Sequence, residues 1–108
     1  KFVYEKTLST YSLDRIKNAF DHESKLRTTL SARSTINDLN ISDCEVVSII
    51  QNLTVKDFYK TMPPIHNNYT SWQDVYKPSY QGQQLYVKFQ INADGEIIVS
   101  FKKSGRSI

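Results

Sequence analysis

Gln84-Leu85-Tyr86-Val87-Lys88-Phe89-Gln90-Ile91, followed by Asn92-Ala93-Asp94-Gly95-Glu96 and then Ile97-Ile98-Val99-Ser100-Phe101-Lys102, decides the fold. Each run is rich in β-branched and aromatic residues and places its apolar side chains at every second position, the period of a half-buried strand. The segment between them carries an Asp-Gly hairpin signal. A two-residue Asp94-Gly95 turn would set Val87 opposite Lys102 and Phe89 opposite Ser100, mixing apolar with polar on both faces. A three-residue loop, Ala93-Asp94-Gly95 with Gly95 in the left-handed region, pairs Ile91 with Ile97, Phe89 with Val99 and Val87 with Phe101. One face is then wholly apolar, and because a one-residue slip turns every side chain over, burial selects this register. On the opposite face Tyr86 falls directly across from Lys102, with Lys88 beside Ser100.

Upstream of the hairpin the sequence reads differently. Ser12 is placed to cap a helix running to about Phe20, with Leu13, Ile16 and Phe20 on one side. A second helix is predicted from about Thr29 to Leu39. A third starts at Ser42, whose partner three residues on is Glu45, a capping box ahead of Val46, Val47, Ile49, Ile50 and Leu53. Thr54 with Asp57 repeats that pattern and predicts a further short helix through Met62. Pro63-Pro64 then ends any helix and Asn67-Asn68 marks a loop. Helices followed by a hairpin-ended, strand-forming half predict an α+β fold, with N-terminal helices packed on one face of a mainly antiparallel sheet. The free face, carrying Tyr86, Lys88 and Lys102, is where function is expected.

The 108 residues suit a single domain, 1–108, with no repeat or linker. With 39% hydrophobic and 23% charged residues the composition is that of a folded globular chain. Neither a membrane-spanning apolar run nor a signal-peptide pattern is present, so a cytoplasmic protein is expected. Cys44 is the one cysteine, and its place in an apolar helical pattern predicts a buried, reduced thiol. Residues 1–55 hold seven Lys/Arg against seven Asp/Glu, whereas residues 56–108 hold seven against four, which is the entire net charge of +3. That basic second half also carries five of the seven tyrosines and Trp72. It suits a polyanion with bases to stack, such as single-stranded RNA, and it also suits the blander reading of a solvated face over a tyrosine-rich core.

The chemistry on offer is narrow. His22 and His66 are far apart and lack neighbours at ligand spacing, so no metal is expected. With three glycines and no phosphate-cradling loop, no nucleotide or other small-molecule cofactor is expected either. Lys, Tyr and Gln remain. That set is sufficient for cleaving RNA without a metal, because the nucleophile, the ribose 2′-OH, arrives with the substrate. The protein then has to supply a proton acceptor, a proton donor for the leaving 5′-oxygen, and positive charge for the phosphorane-like transition state.

Four blocks of the sequence resemble the motility quorum-sensing regulator (MqsR) toxin family. They are Asp57-Phe58-Tyr59-Lys60, Trp72-Gln73-Asp74-Val75-Tyr76 with Pro78, Gly82-Gln83-Gln84-Leu85-Tyr86-Val87-Lys88, and Ile98-Val99-Ser100-Phe101-Lys102. Leu26-Arg27-Thr28-Thr29 matches more loosely. The resemblance implies a RelE-like fold and the toxin of a type II toxin–antitoxin system. It further implies a bacterial endoribonuclease acting on free mRNA at a short GC-containing trinucleotide, held in check by a cognate antitoxin protein. The family's implicated residues fall on Lys60, Gln73, Tyr86 and Lys102. By this resemblance the lysines stabilise phosphate charge, Tyr86 carries the proton and Gln73 orients ribose or phosphate. Lys88 and Tyr80 are further candidates for holding RNA, while Phe58, Trp72 and Tyr76 read as core. Pro63 through Tyr69 departs from the family's loop and bears on base preference, and the tail adds Lys103 and Arg106. Three other readings stay open: a module that binds RNA without cutting it, a nuclease that acts only on the ribosome, and a toxin directed at a protein such as DNA gyrase.

Overall fold

The computed structural model describes residues 8–63 and 71–103. In chain order the elements are α1 (Leu13–Ala19), α2 (Leu30–Asp38), α3 (Asp43–Gln51), β1 (Phe58–Met62), β2 (Gln73–Tyr76), β3 (Ser79–Tyr80), β4 (Gln83–Ile91) and β5 (Ile97–Lys103). This is the α+β arrangement, helices first and antiparallel sheet after.

Each helix starts where a side chain satisfies the first orphan N–H groups. The Ser12 hydroxyl accepts from the Arg15 N–H, Thr29 from Ala32, and Ser42 from Glu45, whose carboxylate returns the bond to the Ser42 N–H. α1 ends where the Gln51 amide donates to the carbonyls of Lys17 and Phe20, tying α3 to the end of α1. Val46, Ile49, Ile50 and Leu53 of α3 and its C-terminal flank are buried, and so are Ile16, Phe20, Ala32 and Ile36. Cys44 is exposed, contrary to the expected buried thiol. It lies two residues before Val46, about 200° around the helix, and so faces away from the core.

β4 is the spine of the sheet. β2 and then β3 run along one of its edges and β5 along the other, while β1 pairs outside β2. The β4–β5 register is Ile91 to Ile97, Phe89 to Val99, Val87 to Phe101 and Tyr86 to Lys102. The loop between them is the three-residue one: the Asn92 N–H donates to the Glu96 carbonyl, and Gly95 takes φ +82°. β3 and β4 meet through Gln81-Gly82, both at positive φ, the backbone of a tight two-residue hairpin turn. Arg27–Thr29 extends the far side of β5: the Thr29 N–H donates to the Val99 carbonyl and the Val99 N–H to that of Arg27.

The helices cover one face of this sheet. Leu85, Val87, Phe89, Ile97, Val99 and Phe101 form its apolar side, and Phe20 and Tyr76 bring their rings to 6.1 and 5.8 Å from Phe89. Each such burial contributes roughly 1.5–3 kcal/mol. Asp74 is fully buried on this side, and its carboxylate accepts the backbone N–H groups of Thr10 and Tyr11 at 2.8–2.9 Å, fastening the segment before α1 to β2.

One element differs from its prediction. Thr54 and Asp57 do form a capping box, but it opens only a 3-10 turn, Val55–Asp57, and Phe58–Met62 is strand β1, not helix. Phe58 packs its ring edge-on at 5.5 Å from Tyr76, and Thr61 is fully buried, so sheet pairing and burial override the helix-start signal. The predicted break at Pro63-Pro64 and loop at Asn67-Asn68 lie, apart from Pro63, outside the described residues, as do His66 and Arg106.

Candidate active site

The uncovered face of the sheet follows from the register. Opposite the apolar set, β4 presents Tyr86, Lys88 and Gln90, and β5 presents Ile98, Ser100 and Lys102. Val75 of β2 pairs with Lys88, and Lys60 of β1 pairs with Val75, so Lys60 and Lys88 belong to one row. A register shift between Phe58 and Lys60 inserts an extra residue, Tyr59. Such a bulge re-aims side chains: Phe58 faces the core, while Tyr59 brings its ring to 6.0 Å from that of Tyr86, edge-on.

Of the residues singled out from sequence, Lys60, Tyr86, Lys88 and Lys102 therefore come to one face. Tyr86 and Lys102 face each other across β4 and β5 and, with Lys103, Thr35 and Asp38, line a cleft of about 510 Å³ between α2 and the sheet. Lys60 and Lys102 stand three strand spacings and two residues apart, about 16 Å at the backbone, so they serve different groups of a substrate unless both side chains lean inward. Gln73, at the end of β2 beside Met62 of β1, is 4% exposed, and its amide donates to the Pro63 carbonyl at 3.4 Å. Tyr80 is not brought to this face. It pairs with Gln83, on the helix side, and its hydroxyl donates to the Glu45 carboxylate. That bond raises the Tyr80 phenol's pKa, while the Ser42 N–H and Tyr80 together lower that of Glu45.

The face is cationic. Its outward strand positions among the described residues carry Lys60, Lys88 and Lys102 and no carboxylate, the acid nearest in the cleft being Asp38. Lys88, half-buried at the centre of the sheet, has its pKa lowered by burial and then by the charge of Lys102. Among the described residues no group of three His, Cys, Asp or Glu is placed to hold a metal ion. Sequence reasoning missed Lys77, whose ammonium lies 4.2 Å from the centre of the Tyr59 ring and 5.4 Å from that of Tyr86. The signal was present: Gln73, Val75 and Lys77 alternate along one side.

The model of the family described as "Motility quorum-sensing regulator, toxin of MqsA" matches residues 8–103. The chain belongs to this toxin family. The match to the motility quorum-sensing regulator toxins spans every helix and strand of the described residues. A relative, the mRNA interferase toxin MqsR of Escherichia coli (strain K12), is 37% identical over 79 residues, which is 73% of this chain and 79% of the relative. Among the described residues no helix of this family member is long and apolar enough to cross a membrane.

Proposed function

We propose that this chain is the toxin of a type II toxin–antitoxin system and a metal-independent endoribonuclease that cleaves free mRNA, arresting translation and growth. The observation that carries the reading is Tyr86 directly opposite Lys102 on a lysine-rich face with no outward carboxylate among the described residues, in a member of a toxin family that includes an mRNA interferase. RNA brings the 2′-OH, which gives up its proton and attacks the adjacent phosphorus, forming a 2′,3′-cyclic phosphate as the bond to the 5′-oxygen breaks and that oxygen takes up a proton. Tyr86 carries a proton at its phenol oxygen, Lys102 stabilises charge on the non-bridging oxygens, and Lys60 and Lys88 hold flanking phosphates. Gln73 orients ribose or phosphate by hydrogen bonds. The partners are mRNA and a cognate antitoxin protein, and the site of action is the bacterial cytoplasm.

The test is incubation of the purified chain with a defined mRNA in excess EDTA, without ribosomes, beside its Lys102→Ala variant. Discrete products that disappear in the variant support the reading. Intact RNA in EDTA that is cut once translating ribosomes are added would support the ribosome-dependent alternative instead. RNA that is bound and never cut would leave a binding module.

A further inference from the structure

Lys77 has no role in the site as read so far, yet its backbone is pinned on both sides. Its N–H donates to the Asp57 carbonyl at 2.7 Å, and the carbonyl of the next residue, Pro78, accepts the Leu85 N–H at 2.9 Å. The alternation of β2 carries its side chain to the uncovered face, where the ammonium rests against two tyrosine rings that themselves meet at 6.0 Å. None of the ion pairs among the described residues includes Lys77. A π face holds an ammonium in place without cancelling its charge. The positive charge so fixed stays available to an anion.

We propose that Lys77 is a further RNA-binding residue of this site, its ammonium contacting the phosphate next to the scissile one on the β1 side of Tyr86. Lys102 flanks Tyr86 from β5 and Lys77 flanks it from the end of β2, each about one strand spacing away. The two cations bracket the ring that carries the proton, so the chain of phosphates runs across the strands past Tyr86. Tyr59 packs against both Lys77 and Tyr86, so it sets the direction of the lysine and the ring together. The inference rests on the uncovered face being the RNA-cleaving face.

The test is the salt dependence of binding to a single-stranded RNA made uncleavable by 2′-O-methyl riboses, compared among wild type, Lys77→Met, Lys77→Arg and Lys25→Met. Each phosphate contact with a single strand contributes about 0.7 to the slope of log affinity against log salt. Lys77→Met, which keeps the length of the side chain over the rings, is expected to weaken binding several-fold at low salt and to flatten the slope by about 0.7. Lys77→Arg retains the slope, and Lys25→Met, on the helix side where Lys25 pairs with Asp21, leaves it unchanged. A weakened Lys77→Met with the wild-type slope assigns Lys77 a packing role only and overturns the proposal, as does a variant indistinguishable from wild type. Wild-type protein that binds this RNA without salt dependence, or never cuts its 2′-hydroxyl counterpart, overturns the RNA-cleaving reading itself and the role of Lys77 with it.

Discussion

Tyr86 stands directly across β4 and β5 from Lys102, and both line the cleft beside α2. Directly opposed residues on paired strands hold their Cβ atoms about 4.5–5.5 Å apart, so one phosphate can meet a phenol and an ammonium together. Tyr86→Phe removes the proton carrier and keeps the ring, and is expected to slow cleavage about 10²–10⁴-fold with RNA binding retained. Lys102→Ala is expected to cost about 10²–10³-fold. Because Lys102 is exposed, its loss shifts stability by less than about 0.5 kcal/mol. Single-turnover cleavage and thermal melting on the same preparations check both parts, and a large drop in melting temperature would contradict the assignment.

Lys88 is a cation only below a pKa that burial and Lys102 push under the usual 10.5. As pH rises, Lys88 loses its charge before an exposed lysine does. Binding of 2′-O-methyl RNA is therefore expected to weaken at a pH below that at which Lys88→Arg weakens, since arginine keeps its charge throughout. Lys60, Lys77, Lys102 and Tyr86 share the face and are identical in both proteins, so the difference reports Lys88. Superimposable pH profiles would remove Lys88 from the interface.

Asp74 is fully buried and accepts from Thr10 and Tyr11. Asp74→Asn replaces one accepting oxygen by an N–H donor aimed at those same N–H groups. A loss of about 2–3 kcal/mol in chemical denaturation is expected, while cleavage per folded molecule persists because Asp74 lies on the helix side.

The Tyr76 phenol is pushed up to about 12, first by burial and then by the Asp74 carboxylate. The folded chain therefore keeps its proton where the unfolded chain, near 10, has lost it. The stability this confers is complete below pH 10 and is lost as pH rises from 10 to about 12, amounting to about 3 kcal/mol. Tyr76→Phe is expected to flatten that part of the stability–pH curve. Tyr11, also raised by burial, leaves a residual slope.

The hairpin and the three helix starts were legible because each is decided locally. Period-two alternation with Gly95 fixes the β4–β5 register, and Ser12, Thr29 and Ser42 close their caps within three residues. Through that register the sequence alone brought Tyr86 and Lys102 together. β1 was misread because the Thr54–Asp57 box is a local signal that a 3-10 turn also satisfies; what makes Phe58–Met62 a strand is pairing with β2, ten and more residues away. The bulge at Tyr59 and the placing of Lys77 depend on that same pairing. Tyr80 read as a candidate for holding RNA, but its two-residue strand turns it to Glu45 on α3.

The most direct test of the central claim, 2′-OH attack carried out on the face of Tyr86 and Lys102, is a single 2′-deoxy substitution at the ribose 5′ to a mapped cut, assayed in EDTA. The account predicts that this one bond becomes resistant, that neighbouring cuts persist, and that the unmodified RNA yields 2′,3′-cyclic phosphate ends. Continued cleavage at the deoxy position would contradict it, because the nucleophile would then be a water or a protein group.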